Sequence, residues 1–331
     1  MHTIRLAGGP AFPCADGDTI LRAGLREGLG LSYECSVGSC GVCKFELVDG
    51  AVEDLRPDAP GLSERDRRKG RRLACQSRPA GDCTVAMRLD DAIRPPVRPQ
   101  RRSAVLEAAR RLTHDLSEFT FRTDGAADFL PGQYALLQLP GLAAPRAYSM
   151  ANTPNGEGVW QFIVRRVPDG AGTAALFAMA AGARVSLDAP YGQAYLRPSP
   201  RDVVCVAGGS GLAPMLSIAR AFAEGPADGR RLTLYYGARA ARDVCGEAEV
   251  AALPGFGTRI RYVPAVSDPE DGGFAGRRGF IHEVMADDLG RCFDGCDVYC
   301  AGPPPMTLAL EDLLVREAGL PVDRLRFDRF F

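Results

Sequence analysis

The sequence predicts a multidomain chain in three modules: a small α+β module, a mostly antiparallel β module, and a doubly wound α/β module. Three observations carry this expectation. Cys35, Cys40, Cys43 and Cys75 crowd the first quarter of the chain. Between residues 103 and 199, short β-prone runs are separated by Gly, Pro, Asn and Asp, which suggests a barrel or a sandwich. From residue 200 onward, apolar strands alternate with helical segments, the pattern of a parallel sheet with crossover helices.

The elements follow in order. In residues 1–92, "DGDTILRAGLREGLG" places Ile20, Leu21, Ala23 and Leu25 at helical spacing, with Asp18 as the candidate cap. The runs "HTIRLA", "CKFELVDG" and "CTVAMRL" around it read as strands. Residues 93–102, within "AIRPPVRPQRR", are rich in Pro and Arg without apolar periodicity and read as a linker. Residues 103–199 hold "SAVLEAARRL", "SEFTFRTD", "QYALLQLP", "RAYSMAN", "VWQFIVRRV" and "ARVSLDAP", with one helical interruption at "TAALFAMAA". In residues 200–331, "DVVCVAG", "RLTLYYGAR", "TRIRYVPAV", "CDVYCAG" and "RLRFDRFF" read as strands. The intervening "LAPMLSIARAFAEG", "DVCGEAEVAAL", "FIHEVMADDL" and "PPMTLALEDLLVREAG" read as helices.

Bulk properties narrow the function. The chain has 331 residues, 46% hydrophobic and 24% charged, an ordinary globular composition. Its net charge of −1 gives no global attraction to nucleic acid or to an anionic membrane. No apolar run approaches the roughly 20 residues a membrane span needs, and the first thirty residues lack a signal-like apolar core. A cytoplasmic location is therefore expected; a monomer is expected as well, though no feature of the sequence sets the oligomeric state. Eleven cysteines are many for that compartment, where disulfides are rare.

Cys35-x4-Cys40-x2-Cys43 followed by Cys75 is the ligand spacing of plant-type [2Fe–2S] clusters. Four thiolates must converge on two irons, and Gly38 and Gly41 let one short loop wrap around them. Zinc and a disulfide staple are the competing readings. Zinc sites more often pair two C-x2-C knuckles, and only one close pair is present here. Cys14 and Cys83 read as buried free thiols.

Phosphate-binding features fill the rest. "PGQY" (131–134), "RAYS" (146–149) and "RRVPDGAGTAAL" (165–176) occur in that order. Thr173 is placed as the cap of a helix after Gly170 and Gly172, and Arg146 can reach the same phosphate. "VAGGSGLAPM" contains Gly208, Gly209, Ser210 and Gly211 in a strand-to-helix turn, although it is not G-x-G-x-x-G. "YYGAR" and "YCAGPPPM" also end predicted strands. Three loops on one sheet edge point to a dinucleotide.

In this order the motifs resemble those of the three-part oxygenase reductases. In that family a plant-type ferredoxin domain is joined to a ferredoxin–NADP reductase-like FAD and NAD module. "LRPDAPGLSERDRRKGRRLACQSRP" and the terminal "FDRFF" are similar to the reductases of bacterial toluene monooxygenases. The resemblance implies a β-grasp ferredoxin domain, an antiparallel FAD barrel and a doubly wound NAD domain. It implies FAD, a [2Fe–2S] cluster and NADH as cofactors, with a Rieske-type ferredoxin and a di-iron hydroxylase downstream. Electrons would enter as hydride and leave singly.

Site residues follow from the same resemblance. Cys35, Cys40, Cys43 and Cys75 hold the cluster. Arg146 holds the FAD pyrophosphate, Tyr148 packs on the flavin, and Ser149 hydrogen-bonds near flavin N5. Ile163, Val164, Gly170, Gly172, Thr173 and Phe331 complete the FAD contacts, and Phe330 or Phe331 covers the ring. The coenzyme falls to Gly208, Gly209, Ser210, Gly211, Arg239, Asp243, Gly302 and Pro303. Cys300, one residue farther from Gly302 than in the family's C-G-P-P, joins Ser149 and Phe330 as a catalytic candidate. A 2′-phosphate needs a basic site, whereas a 2′-hydroxyl favours a carboxylate. Arg239 and Arg242 stand beside Asp243 and Glu247, and the resemblance favours NADH. The arginine-rich "RDRRKGRR" (65–72) lacks interleaved aromatics and does not read as nucleic-acid binding. It is either a solvated face or a docking face for an acidic ferredoxin. His2, His114 and His282 receive no chemistry, and Trp160 is placed in the core.

Related systems, including phenol-hydroxylase-like or methane-monooxygenase-like di-iron enzymes, Rieske dioxygenases and deoxysugar pathways, would use the same chemistry. A non-catalytic redox-sensing flavin/iron–sulfur protein is the alternative of a different class.

Overall fold

The computed structural model describes residues 1–268 and 274–330. The chain divides into two compact units. Residues 1–101 form the first together with Asp188–Gln193, and 102–187 with Ala194–Phe330 form the second.

The first unit begins with β1 (His2–Leu6), β2 (Ala11–Cys14) and α1 (Ile20–Arg26). It continues with β3 (Lys44–Asp49), β4 (Val52–Asp54), α2 (Glu64–Arg68), β5 (Arg71–Leu73), β6 (Ser77–Pro79) and β7 (Cys83–Ala86). Five strands pair in the order β2-β1-β7-β3-β5, with β1 and β7 parallel across the centre. Helix α1 buries Ile20, Leu21, Ala23 and Leu25, the apolar stripe read from the sequence. Its cap is Thr19, not Asp18. The Thr19 hydroxyl accepts from the Arg22 amide at 3.4 Å. Asp18 is buried and accepts from Arg26 Nε at 2.9 Å, so its carboxylate serves an ion pair.

A six-stranded sheet follows, most of it in the second unit. Its strands are β8 (Gln100–Arg111), β9 (Leu116–Thr123), β10 (Tyr134–Gln138), β11 (Arg146–Ser149), β12 (Val159–Arg165) and β13 (Arg184–Tyr191), with α3 (Ala171–Phe177) between the last two. The order is β11-β10-β13-β8-β9-β12. A bridge between Met150 and Phe162 joins the two ends, so the sheet curls into a nearly closed barrel. Trp160 lies in its core, with its indole donating to Thr123 Oγ1 at 2.9 Å.

Next come β14 (Asp202–Gly208), α4 (Leu212–Glu224), β15 (Leu232–Ala238), α5 (Glu247–Ala251), β16 (Ile260–Val266) and β17 (Arg277–Arg278). Then follow α6 (Ile281–Asp288), β18 (Cys296–Gly302), α7 (Pro304–Glu311) and β19 (Leu325–Arg329). The strands are parallel in the order β17-β16-β15-β14-β18-β19. The progression reverses at β14, so the crevice beside β14 and β18 is the switch point where open α/β sheets bind ligands. Helix α5 is far shorter than "DVCGEAEVAAL" suggested. Gly246 adopts a left-handed φ of 92° immediately before it and stops helix from extending backward. Among the described residues, no helix is long and apolar enough to cross a membrane.

Candidate cofactor sites

The loop between α1 and β3 carries three of the four clustered cysteines, and the turn after β5 carries Cys75. The thiols associate as two hydrogen-bonded pairs, Cys35 with Cys40 and Cys43 with Cys75. The Cys40 thiol, together with the backbone N–H groups of Val37, Cys40 and Ser39, holds Cys35 down to about 5 against burial. The Ser39 and Cys40 amides each lie 3.3 Å from its sulfur. In the second pair, the hydrogen bond from Cys43 lowers Cys75 and correspondingly raises Cys43. Gln76 Nε2 points at the Cys75 sulfur from 3.7 Å.

This arrangement fits a two-iron group, with one thiol pair per metal. Among the described residues, the donor set lying within 4.8 Å of one another is His114, Asp115 and Asp243, not the four cysteines. A single zinc would draw all four together. The loop depends on Gly41, whose φ is +75° and whose Cβ would fall 2.3 Å from the Gly61 carbonyl oxygen. The eleven cysteines are free, and Cys14 and Cys83 are buried. Burial, chiefly, pushes Cys14 up to about 12.

On the barrel, edge strand β11 presents Arg146, Tyr148 and Ser149. The Arg146 side chain runs over Gly172 in the first turn of α3, where a Cβ would fall 3.0 Å from Arg146 Cγ. The cation and the helix start named by the sequence are thus brought together, a fit for a pyrophosphate. Thr173 is not the cap. Gly170 is the cap residue, without a side-chain bond, and Thr173 lies inside the helix. Its hydroxyl accepts from the Val167 amide at 3.1 Å and donates to the Gly170 carbonyl, pinning the preceding turn. Tyr148 is partly buried, which pushes its hydroxyl up to about 12. Ile163 and Val164 are buried in β12.

Ser149 is buried, and its hydroxyl donates to Asp328 Oδ2 at 3.0 Å. Asp328 lies on β19, which pairs with β18 and places Asp328 opposite Ala301. Phe330 follows it. Its amide donates to the Gly302 carbonyl at 3.1 Å, and its partly buried ring packs on the core beneath the sheet edge. Phe331 lies outside the described residues.

At the switch point, Gly208–Gly211 and the loop after β18 press together. A Cβ on Gly211 would meet the Ala301 carbonyl oxygen at 2.0 Å, and one on Gly208 would meet Met306 Sδ at 2.9 Å. The absence of side chains there is what lets the two loops pack this closely. Ser210 is half-buried in this turn. Gly302, at φ +153°, and Pro303 begin the facing loop. Arg239 is exposed at the end of β15. Asp243 is buried. One of its oxygens accepts from the Ala240 amide at 3.0 Å, and the other lies 3.5 Å from His114 Nδ1.

Cys300 lies elsewhere. It is wholly buried in the layer formed with Val206, Val298 and Leu310, while Ala301 faces the opposite layer. Successive strand residues point to opposite faces, so the extra residue before Gly302 turns Cys300 inward. Burial, chiefly, pushes its thiol up to about 12. The thiol is enclosed by that layer, away from the face that Ala301 presents.

Three families match the chain: "2Fe-2S iron-sulfur cluster binding domain" over residues 6–80, "Oxidoreductase FAD-binding domain" over 103–195, and "Oxidoreductase NAD-binding domain" over 205–312. The ferredoxin–NAD(+) reductase component of the alkene monooxygenase system of Xanthobacter autotrophicus is 42% identical, over 99% of this chain and all of that one. The chain belongs to the reductase components of oxygenase systems. The xylene/toluene monooxygenase electron transfer component XylA of Pseudomonas putida is 36% identical over 99% of this reductase and 93% of its own length. A solved structure, the ferredoxin reductase in carbazole 1,9a-dioxygenase, superposes with a TM-score of 0.92 at 37% identity, covering 100% of this chain and 98% of that one. The reductase therefore has a 2Fe-2S domain, an FAD-binding domain and an NAD-binding domain, and it is a ferredoxin–NAD(P) oxidoreductase.

Sequence reasoning missed two residues. Asp328 was in view within "FDRFF", but nothing in the sequence ties it to Ser149, 179 positions earlier. Arg165 opens "RRVPDGAGTAAL". Its guanidinium lies against Gly209, where a Cβ would fall 2.9 Å from Cζ, and its Nε pairs with Asp115 at 3.0 Å. The signal for Arg165 was a cation ending a strand, which on its own is commonplace.

Proposed function

We propose that this reductase oxidises NADH at the β14–β18 crevice and passes single electrons, through Cys35, Cys40, Cys43 and Cys75, to a Rieske-type ferredoxin serving a toluene or related aromatic di-iron monooxygenase. The observation that carries the reading is the thiol arrangement, two pairs on one loop and one turn, in a chain that also holds a flavin-type and a nicotinamide-type site. FAD and the [2Fe–2S] group, when bound, supply the conversion of one two-electron transfer into single-electron steps.

The chain's own residues place and orient these groups. Arg146 neutralises the FAD pyrophosphate, and Tyr148 lines the flavin. Ile163, Val164, Gly170 and Gly172 shape the FAD cleft, with Thr173 fixing its turn. Ser149, oriented by the Asp328 carboxylate, holds a proton at the flavin edge. Gly208, Gly209, Ser210 and Gly211 offer backbone N–H groups to the coenzyme, and Arg165 supplies a cation beside them. Gly302 and Pro303 border the nicotinamide side, and Phe330 or Phe331 covers the flavin. Asp243 favours the ribose hydroxyl of NADH, whereas Arg239 and Arg242, both exposed, are the groups by which a 2′-phosphate would be tolerated. The protein acts as a cytoplasmic monomer.

A second reading has its own support, because identity is higher to the alkene monooxygenase reductase than to XylA. The same electron path would then feed an alkene-oxidising system. Reconstitution decides between them. The reductase, NADH, a Rieske-type ferredoxin and a toluene-oxidising di-iron hydroxylase should yield hydroxylated product, with NADH preferred over NADPH in kcat/KM. Product only with the alkene system favours the second reading, and no ferredoxin reduction with either sinks both.

A further inference from the structure

The run Ser63–Arg72 holds six cations and two carboxylates in a chain whose net charge is −1. Half of those cations have structural tasks. Arg67 donates to the Ala59 carbonyl at 2.7 Å and to that of Pro57. Arg71 pairs with Glu46 and Asp66, and Arg72 pairs with Asp54. Asp66 is likewise spent, closing the cap of α2 with Ser63 and pairing with Lys44 at 2.9 Å. Arg65, Arg68 and Lys69 are different. All three are exposed, and among the described residues no carboxylate forms an ion pair with them.

Their position is specific. The segment that Arg67 ties to α2 is the one that touches the cluster loop. Gly61 donates its amide to the Gly38 carbonyl at 3.0 Å, and its own carbonyl abuts Gly41. Lys44, the partner of Asp66, directly follows Cys43. Between Cys40 and Cys43, Val42 is 43% exposed, an apolar contact beside a half-buried ligand cysteine. An exposed apolar residue in the cysteine loop, with uncommitted cations on the helix whose Asp66 grips Lys44, is a layout suited to brief, steered association.

Building on the proposed reductase function, we propose that Arg65, Arg68 and Lys69, with Val42, form the docking surface for the outgoing electron carrier, a small protein with an acidic face around its one-electron centre. The surface binds and orients, and one electron leaves this chain as one arrives on the carrier, with no bond made or broken.

The test uses the full-length holoprotein and two probes, an acidic Rieske-type [2Fe–2S] ferredoxin and basic cytochrome c. Affinity for the oxidised ferredoxin is read by calorimetry, without turnover, and electron transfer by anaerobic stopped flow after NADH. In the triple variant Arg65→Glu/Arg68→Glu/Lys69→Glu, binding and second-order reduction of the ferredoxin should each weaken about tenfold or more at low salt, while cytochrome c reduction rises. The Gln triple, which removes charge without reversing it, should give an intermediate effect and serves where the Glu variant fails to load its cluster. Unchanged ferredoxin affinity and rate in a variant with a normal cluster spectrum would overturn the proposal, as would an equal fall with both probes. A native protein whose cluster stays oxidised with NADH would contradict the reductase reading itself, and the docking surface would fall with it.

Discussion

The loop proposed to hold the cluster and the proposed nicotinamide–flavin site are built in opposite ways. Three of its four cysteines sit within nine residues, and the fourth is carried by a turn of the same module. Their geometry is a property of one loop, held by Gly41 and by amides such as those of Ser39 and Cys40. The second site is assembled from distant strands. Ser149 on the barrel meets Asp328 near the end of the chain, and Arg165 from β12 lies over Gly209 after β14. A local site declares itself in spacing, whereas an assembled one depends on tertiary packing that spacing does not encode.

Perturbing each kind of site should expose the difference. The largest effect is expected at the local one. Cys75→Ser removes one ligand and should abolish electron output to ferredoxin or cytochrome c, while NADH still bleaches the flavin. Iron and sulfide assays with single-turnover spectra read both halves, and flavin reduction lost in parallel with iron would mean the two sites are not separable.

At the assembled site effects should be graded. Asp328→Ala removes a charge-assisted hydrogen bond, so flavin reduction by NADH should slow by about 10- to 100-fold with the cluster intact. Asp328→Glu should recover part of that rate. A rate unaffected in stopped flow would show that the Ser149–Asp328 contact does not orient the reaction. Gly211→Ala should be milder. Its Cβ would meet the Ala301 carbonyl oxygen at 2.0 Å and push the two coenzyme loops apart. A higher KM for NADH and roughly 1–3 kcal/mol of lost stability are expected by analogy with overpacked cores. Thermal unfolding and steady-state kinetics measure both.

The smallest effect is expected at Cys300. Cys300→Ala should leave kcat within about twofold and cost ~1 kcal/mol of stability, as for a small buried truncation. With burial holding the thiol up to about 12, it stays protonated across pH 6–9 and contributes no ionisation to the rate profile. A rate loss of tenfold in this variant, or a profile that shifts with it, would restore a catalytic role.

The contrast also explains how much was legible in advance. All six barrel runs became strands, because alternation and turn residues encode them locally. The order of the three domains and the approach of Arg146 to the first turn of α3 were equally readable. The misses share a cause. Residue type favours Thr173 and Asp18 as caps, but Gly170 and Thr19 hold those positions and leave the two side chains to other bonds. Cys300 was placed by motif similarity, although one extra residue in a strand reverses the face a side chain occupies. Asp328 carried no mark at all, because its meaning lies in a partner 179 residues away.

The most direct test of the account is an anaerobic titration of the purified holoprotein with NADH, followed by visible absorption and electron paramagnetic resonance. Flavin and iron–sulfur absorption should both bleach, and a reduced [2Fe–2S] signal should appear. Flavin bleaching with iron that stays oxidised, or with no iron present, would mean that Cys35, Cys40, Cys43 and Cys75 do not receive electrons from the nicotinamide side, and the reductase assignment of the cluster loop would be contradicted.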